Sequence, residues 1–377
     1  MNETDQEGEY PLIWGCIKNN IEIIKLLIDY ANRNKIILKI NNKDQDEDYP
    51  FLIACKNNNM EMIQLLIDYA SINNIVLNIN DKEDKFGNFP LLESCIENNI
   101  EMTKLIINYA NKNKITLELN NKDQEGDYPF LIACKRNNMD MVNLLIDYAN
   151  KNKTILEINE KNINGKYPLY WICSENNNVM VRLLMEYASK NNIILKVNEK
   201  DNEYINYPLL WACDKNNTEM VKIIIDYADK NNILLEINEK SKVRNYPLYF
   251  ACDYNNIEMV QLLIDYANKN NILLELNGIT RSKNYPILQV IRKHKNLKMI
   301  QLLMDYAKNK NIYLNLDERT LGNISEISND IIELFNKYED CVNITYTNDS
   351  ELLKRKNLIK NEEKQNKKYE RENILTQ

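Results

Sequence analysis

The prolines of this chain recur at a nearly fixed interval, and this restricts the possible folds more than any other feature. All eight Pro in the 377 residues lie 39 or 40 positions apart: Pro11, Pro50, Pro90, Pro129, Pro168, Pro208, Pro247 and Pro286. Seven of the eight Cys each lie five residues after a Pro, and a Tyr-Ala pair follows nineteen residues after the first seven Pro and twenty after the last. A fixed period in this range indicates a stacked repeat protein.

Each copy predicts the same order of elements, which we describe for the fourth. Pro129 suits the first turn of a short helix that ends near Lys135, because the missing N–H of proline costs nothing there. Asn137 and Asn138 then end that helix and begin the next, since Asn tolerates left-handed backbone and caps helix starts. Apolar residues at i, i+3, i+4 and i+7 follow, and then a brief extended stretch and a polar loop. Neither helix can bury its apolar side alone, so the copies must stack.

The start of each copy carries a further motif, which reads Asp5-Gln6-Glu7-Gly8-Glu9-Tyr10-Pro11-Leu12 in the first. This motif, with the later Ala-Cys, Asn-Asn, Glu-Met-Val and Leu-Leu positions, resembles an ankyrin repeat over about residues 5–319. The resemblance implies an all-α solenoid of helix-turn-helix repeats. It implies eight full repeats and a truncated C-terminal capping helix, the repeats starting near residues 5, 44, 84, 123, 162, 202, 241 and 280.

Three departures from the ankyrin pattern predict local differences. Tyr or Phe replaces the usual Thr before Pro, and an apolar residue or Tyr replaces the usual His after it, so packing must substitute for their hydrogen bonds. Each copy is also about six residues longer than a typical ankyrin repeat. The turn Gly is present at 8, 87, 126 and 165, but the other four copies carry Glu47, Ile205, Arg244 and Lys283, and their loop geometry is left open.

The two ends of the array differ from its middle. We expect the repeat array over residues 1–319, a capping helix within 320–340 (at Ser328–Asp340), and a charged, disordered or frayed tail over 341–377. The first copy is regular and has no polar N-terminal cap. This observation favours further repeats upstream, as in a fragment of a larger multidomain repeat protein, or pairing of this end with another chain.

Composition argues against catalysis. The chain has one His and only seven Gly, so it offers little material for a His-dependent site or a phosphate-binding loop, and we expect no catalytic, cofactor or metal site. The regularly spaced Cys are interpreted as small core residues rather than as a metal or thiol ladder, and the three Trp as packing residues rather than as a ligand-binding stripe. No signal peptide or membrane span is apparent, and reduced Cys fits a cytoplasmic or nuclear protein.

Positions that vary between copies are the candidate binding residues. They lie six and seven residues after each Pro, or two before it, and in an ankyrin-like arrangement they line the concave face and the loop tips. Neutral drift on a solvated surface is an equal alternative. The candidates are Lys56, Asn57, Glu97, Lys135, Arg136, Glu175, Asp214, Lys215, Asp253 and Tyr254 on the face, and Asp48, Asn88, Asp127, Lys166, Asn206 and Asn245 at the tips.

The function predicted from these features is a non-catalytic scaffold or adaptor that binds another protein and has no small-molecule substrate. An alternative is nucleic-acid or acidic-membrane association through the basic tail, at 354–356 and 367–368. The net charge of −7 opposes nucleic-acid binding, since the tail of residues 352–377 carries eight Lys/Arg against four Asp/Glu and the remainder is more acidic still.

Overall fold

The computed structural model describes residues 1–322 and 324–375 and divides into two compact units, Met1–Lys196 and Val197–Gln377. The N-terminal unit contains repeats 1–5, and each repeat consists of two successive helices. Its first helices are α1 (Pro11–Ile17), α3 (Pro50–Lys56), α5 (Pro90–Ile96), α7 (Pro129–Lys135) and α9 (Pro168–Ser174). Its second helices are α2 (Ile21–Asn34), α4 (Met60–Ile72), α6 (Ile100–Asn113), α8 (Met139–Asn152) and α10 (Asn178–Lys190).

The C-terminal unit contains repeats 6–8 and the elements that follow them. The repeat helices are α11 (Pro208–Asp214), α12 (Thr218–Lys230), α13 (Pro247–Asp253), α14 (Ile257–Lys269), α15 (Pro286–Gln289), which continues as a π-helix over Val290–His294, and α16 (Leu297–Asn309). The later elements are β1 (Leu314–Asp317), short 3-10 turns at Glu318–Thr320 and Ile324–Glu326, α17 (Asn329–Lys337), β2 (Val342–Thr345) and α18 (Glu351–Leu375). The predicted helix-turn-helix repeats are therefore confirmed.

The Asn-Asn pairs of the repeats begin the second helices and also join neighbouring repeats. In each pair the first Asn has left-handed backbone, as at Asn98 (φ 53°), and the second caps the helix. Asn138 accepts a hydrogen bond from the Met141 N–H at 3.0 Å, and its own amide donates to Asn98 of the preceding repeat at 2.6 Å. The Asn residues at these positions therefore have a structural role, because one side chain both caps the helix start and donates a hydrogen bond to the preceding repeat.

In every repeat but the third, which has Phe89, the residue before Pro is a tyrosine, and it replaces the ankyrin Thr by reaching further along the chain. Tyr128 is fully buried, and its hydroxyl donates to the Glu160 carbonyl at 3.1 Å. Tyr49 and Tyr246 make the same bond at 3.0 Å to the carbonyls of Asp81 and Gly278. The lost Thr contact is thus replaced by a buried ring and by a hydrogen bond about thirty residues away.

The loop turns have the same backbone in all eight repeats, although Gly is absent from half of them. Gly126 has φ 75°, and the replacements Glu47, Ile205, Arg244 and Lys283 have φ between 59° and 64°. A side chain at the start of each loop accepts backbone N–H groups. In repeats 3 and 6 this side chain belongs to Glu83 and Asp201, one residue before the predicted starts at 84 and 202.

Repeat eight accommodates its extra residue in the π-helix Val290–His294. A one-residue insertion into a helix commonly forms such a π-bulge, which explains why the Tyr-Ala pair there comes at twenty residues rather than nineteen. At the opposite end of the array, repeat one has no covering element in the described chain. Ile23 and Tyr30 are 42% and 54% exposed, whereas their counterparts Met62 and Tyr69 are buried.

The region after the repeats adds two short strands and a long final helix to the predicted helical repeats. The predicted capping helix is confirmed as α17, which Ser328 caps. Strands β1 and β2, however, pair in parallel, with Leu314 opposite Val342. Helix α18 packs on α17 with Leu352 and Ile359 buried, so the described start of the predicted tail is an ordered helix.

The buried carboxylate of Glu318 holds the start of α18 in place. It accepts hydrogen bonds from the Thr347 N–H and hydroxyl, the Ser350 hydroxyl and the Leu352 N–H, at 2.8 to 3.2 Å. Burial alone would raise the pKa of Glu318, but these donors outweigh it and lower the pKa. The sequence signal that could have revealed this order is the spacing of Leu352, Arg355 and Ile359, which place one helix side against α17.

Candidate functional site

In repeats 2, 3 and 4 the loop tip contacts the first helix of the same repeat, and in repeats 2 and 4 this brings two of the predicted sets of variable positions together. The carboxylate of Asp48 lies 2.7 Å from the ammonium of Lys56, and that of Asp127 lies 3.6 Å from Lys135. Asn88 instead donates to the buried carboxylate of Glu93 at 2.9 Å. The tip and helix-end residues therefore form one continuous surface within a repeat, which we call its variable surface.

In the N-terminal unit the variable surface centres on Trp171. The ammonium groups of Lys135 and Lys166 lie 5.5 and 5.1 Å from the centroid of its ring, and Tyr170 meets it edge-on at 5.6 Å. The indole N–H of Trp171 is buried without a hydrogen-bond partner among the described protein atoms. Trp171 is half-buried rather than enclosed between helices, so the prediction that the Trp serve only as packing residues is too narrow.

In the C-terminal unit the variable surface is organised around Asp253. Its carboxylate accepts from Gln289 at 2.6 Å and pairs with Lys293 at 3.0 Å. Nε2 of His294, the single His of the chain, lies 2.7 Å from the Asp253 carbonyl, and its side chain is half-buried. Tyr254 is 43% exposed, and its pKa is raised by partial burial and by the carboxylates of Asp214 and Asp253.

Several predicted binding residues also serve the framework. The Asn57 amide donates to the Cys16 carbonyl at 2.8 Å, and the Arg136 guanidinium donates to the Ile96 carbonyl at 2.7 Å. Asp127 is nearly buried and accepts from Asn162 at 2.8 Å. Of the remaining candidates, Asn206 and Asn245 are half-buried loop residues, and the exposed ones are Glu97, Glu175 and Lys215, the last with its ammonium 5.5 Å from the Trp211 ring.

Glu93 is the buried ionisable group that the sequence analysis did not select for the N-terminal variable surface. It stands where other repeats carry Trp, Ile or Phe, and it is 5% exposed. Burial raises its pKa to about 7, although Lys56 and the Asn88 amide partly counteract this. The only sequence signal was its departure from the apolar residues at this repeat position.

A second surface that the predicted residue set missed lies at the loop tips of repeats 7 and 8. Lys242, Arg244, Arg281 and Lys283 line one cleft of about 780 Å³, together with Tyr285 and residues of β1. All four cationic side chains are exposed. The sequence signal for this surface was present, because the residues lie three or five positions before the last two Pro, close to the selected position.

The periodic cysteines lie in the core, as predicted. All eight are free and buried, and burial raises the pKa of the Cys16 and Cys95 thiols to about 12. Within the described residues no cluster of three or more His, Cys, Asp or Glu side chains could hold a metal ion. The described helices include none that is both long enough and apolar enough to cross a membrane.

Comparison with known proteins identifies the repeat. A family model described as "Ankyrin repeats (3 copies)" matches residues 34–116 and 152–234, and models described as "Ankyrin repeat" match 125–155 and 243–272. Together they span more than half of the chain. The chain belongs to the ankyrin repeat family. Ankyrin repeats are generally protein–protein interaction modules, and their fold is typically a non-catalytic scaffold.

Among solved structures, this ankyrin repeat protein is similar to the ankyrin repeat domain of Bcl-3, described as a unique member of the IkappaB protein family. The two sequences are 17% identical, the match covers 68% of this chain and 99% of that one, and the TM-score is 0.45. No curated protein matches the chain.

Proposed function

We propose that this ankyrin repeat protein is a non-catalytic scaffold that binds a partner protein on the variable surfaces of its repeats. The observation that carries the proposal is the Trp171 cluster. A half-buried indole between two lysines supplies apolar area and positive charge at one point. Aromatic residues with these properties are enriched among the residues that dominate binding energy in protein interfaces.

The exposure pattern within the repeats supports the same proposal. The framework positions, such as Tyr128, Leu131 and Cys134, are fully or almost fully buried in every interior copy. Lys135 and Arg136, which directly follow them, are exposed. The chain can therefore vary these residues without disturbing the core, which is how repeat scaffolds encode different partners.

Recovery of the partner from native-cell extract tests the proposal. We expect the variant Lys135→Glu/Arg136→Glu/Trp171→Ala to lose most of the partner captured by the unchanged chain, since it removes the aromatic anchor and inverts the neighbouring charge. A second variant, Tyr254→Ala, probes the C-terminal unit separately. Lys112→Gln/Lys151→Gln is the matched control, because both lysines are exposed near the ends of second helices. Equal recovery with all variants, each shown to melt like the parent, would contradict the site assignment.

The basic-tail alternative gains no support from the described residues. Arg355 donates to the carbonyls of Ile324 and Ile327 at 2.8 Å and to Asn329 at 2.7 Å, so it holds α18 on the cap. Lys356 is half-buried, and burial lowers its pKa. Side chains at 367–368 lie outside the described residues.

A further inference from the structure

We propose that the cleft at the loop tips of repeats 7 and 8 binds an acidic segment of a partner protein, one rich in Asp and Glu. This inference rests on the proposed scaffold function and names the chemistry of one ligand. Its first support is the convergence of four cationic side chains, Lys242, Arg244, Arg281 and Lys283, on the same cleft. Converging guanidinium and ammonium groups bind carboxylates through charge-assisted hydrogen bonds.

The four cations of this cleft lack acidic partners among the described residues. None of the four has a carboxylate within ion-pair distance among the described residues, and the loops 241–246 and 280–285 contain no Asp or Glu. Asp317, the one carboxylate in the lining of the cleft, pairs with Arg319 at 2.6 Å, and Glu275 pairs with Lys240 at 2.5 Å. The cleft therefore carries uncompensated positive charge in a protein whose net charge is −7.

Backbone conformation gives independent support. Arg244 and Lys283 occupy the left-handed turn position, with φ of 64° and 59°, where repeats 1, 3, 4 and 5 have Gly. A residue with a Cβ is disfavoured relative to Gly in this conformation. At Glu47, the corresponding side chain forms an ion pair with Lys43 at 2.6 Å. Arg244 and Lys283 have no such compensation among the described residues, and a side chain placed at a conformational cost is a candidate for function.

The shape and lining of the cleft favour a peptide over a nucleic acid. Its volume of about 780 Å³ is in the range of sites that enclose a short ligand. Ile279, which is 52% exposed, and Tyr285 add apolar surface beside the cations. The Arg281 N–H donates to the Val243 carbonyl at 3.3 Å, which holds the two loops at a fixed spacing. A long polyanion would need a continuous basic track, whereas Lys200, Lys222 and Lys240 in the neighbouring repeats are each paired with a glutamate.

A fluorescence anisotropy titration of the full chain with a labelled Glu/Asp-rich peptide tests this inference. The decisive variant is Arg244→Gly/Lys283→Gly, which removes two cations and gives the turns the residue that their backbone favours. We expect it to fold at least as well as the parent and to bind the peptide about tenfold more weakly or worse. Lys242→Gln/Arg281→Gln, which leaves both turn positions unchanged, should weaken binding similarly. Raising the ionic strength from about 0.05 M to about 0.5 M should also weaken it.

The controls separate this inference from the proposed function. Lys112→Gln/Lys151→Gln lowers the net charge equally and should leave peptide affinity unchanged, and a Lys-rich peptide should not bind the parent chain. Undiminished binding by both cleft variants would overturn the inference. So would a single-stranded oligonucleotide that binds more tightly than the peptide and is lost in the same variants. Neither result affects the extract experiment, which probes Lys135, Arg136, Trp171 and Tyr254.

Discussion

The two compact units build the same repeat, but the loops of repeats 1, 2 and 4 carry charge opposite to that of the loops of repeats 7 and 8. In the N-terminal unit the tips of repeats 1, 2 and 4 carry carboxylates, and two of these, Asp48 and Asp127, pair with a lysine of their own repeat. In the C-terminal unit the tips of repeats 7 and 8 carry Lys and Arg without partners among the described residues. Since the backbone turns are alike, with φ between 59° and 80°, the comparison shows that tip charge varies independently of the fold.

Each unit also contains a buried carboxylate, and the two have opposite electrostatic environments. Glu318 in the C-terminal unit accepts four hydrogen bonds and has a lowered pKa, whereas Glu93 in the N-terminal unit has one amide donor and a pKa raised to about 7. Glu318 therefore stabilises the elements around it as an anion. The folded state is most stable when the carboxyl group of Glu93 is protonated.

The largest effect is expected for Glu318→Ala. The substitution leaves Thr347, Ser350 and the first N–H groups of α18 without their acceptor, which should cost on the order of 3 kcal/mol in the C-terminal unit. Hydrogen exchange should become faster over 342–362, while 1–196 stays unchanged. The exposed Glu362→Ala in the same helix is the control. Equal protection of α18 in both variants would show that Glu318 does not hold this helix.

A pH-dependent effect is expected for Glu93→Gln. The pKa of Glu93 in the folded protein, about 7, lies above its ordinary value of 4.5, so the native state keeps the proton to higher pH than the unfolded chain. Its contribution is thus favourable below pH 4.5 and is lost as the pH rises through 7. The Gln variant should be more stable than the parent at pH 8, by roughly 2 kcal/mol, and nearly equal at pH 4.5.

Thermal melts of parent and variant across this pH range measure the effect. The exposed Glu97→Gln, four residues along the chain, should show no such trend and serves as the control. A stability difference that stays constant with pH would mean that Glu93 is ionised normally in the folded unit.

The smallest effects concern the turn position that the two units fill differently. Ile205→Gly should raise the free energy of unfolding of the C-terminal unit by about 1 kcal/mol, because a β-branched residue there has φ 60°. Gly126→Ala in the N-terminal unit should lower it by a similar amount, since the new Cβ would lie 3.0 Å from the Asn162 Cα. Urea titration of each variant measures both changes. Effects of the same sign would refute the view that these turns share one strained conformation.

The sequence predicted the repeat helices because their signals are local and repeated. Pro129 and Asn138 each favour a helix start through local interactions. Because this pattern recurs in eight copies, it is less ambiguous than in a single copy. The segment after the repeats has no such repetition. Its order depends on long-range contacts, such as that of Glu318 with Ser350 and the pairing of Leu314 with Val342, which no local pattern reveals.

The candidate site was predictable in position but not in chemistry. The position of Lys135 and Tyr254 within the repeat was enough to predict that both are exposed. It could not show that Lys135 and Lys166, from successive repeats, flank the ring of Trp171. It also overlooked Arg244 and Lys283. In the sequence these two residues were noticed only because they replace the turn Gly. Their shared cleft, on turns with the same backbone as the other repeats, is what indicates a binding surface.

Hydrogen–deuterium exchange of the full chain, with and without the acidic peptide, tests most directly whether the two units differ in binding. We predict slower exchange at 241–246 and 279–285 in the presence of the peptide, and no change at the equivalent tips 44–48 and 123–127. Protection that is equal at both sets of tips, or confined to the acidic ones, would contradict the account.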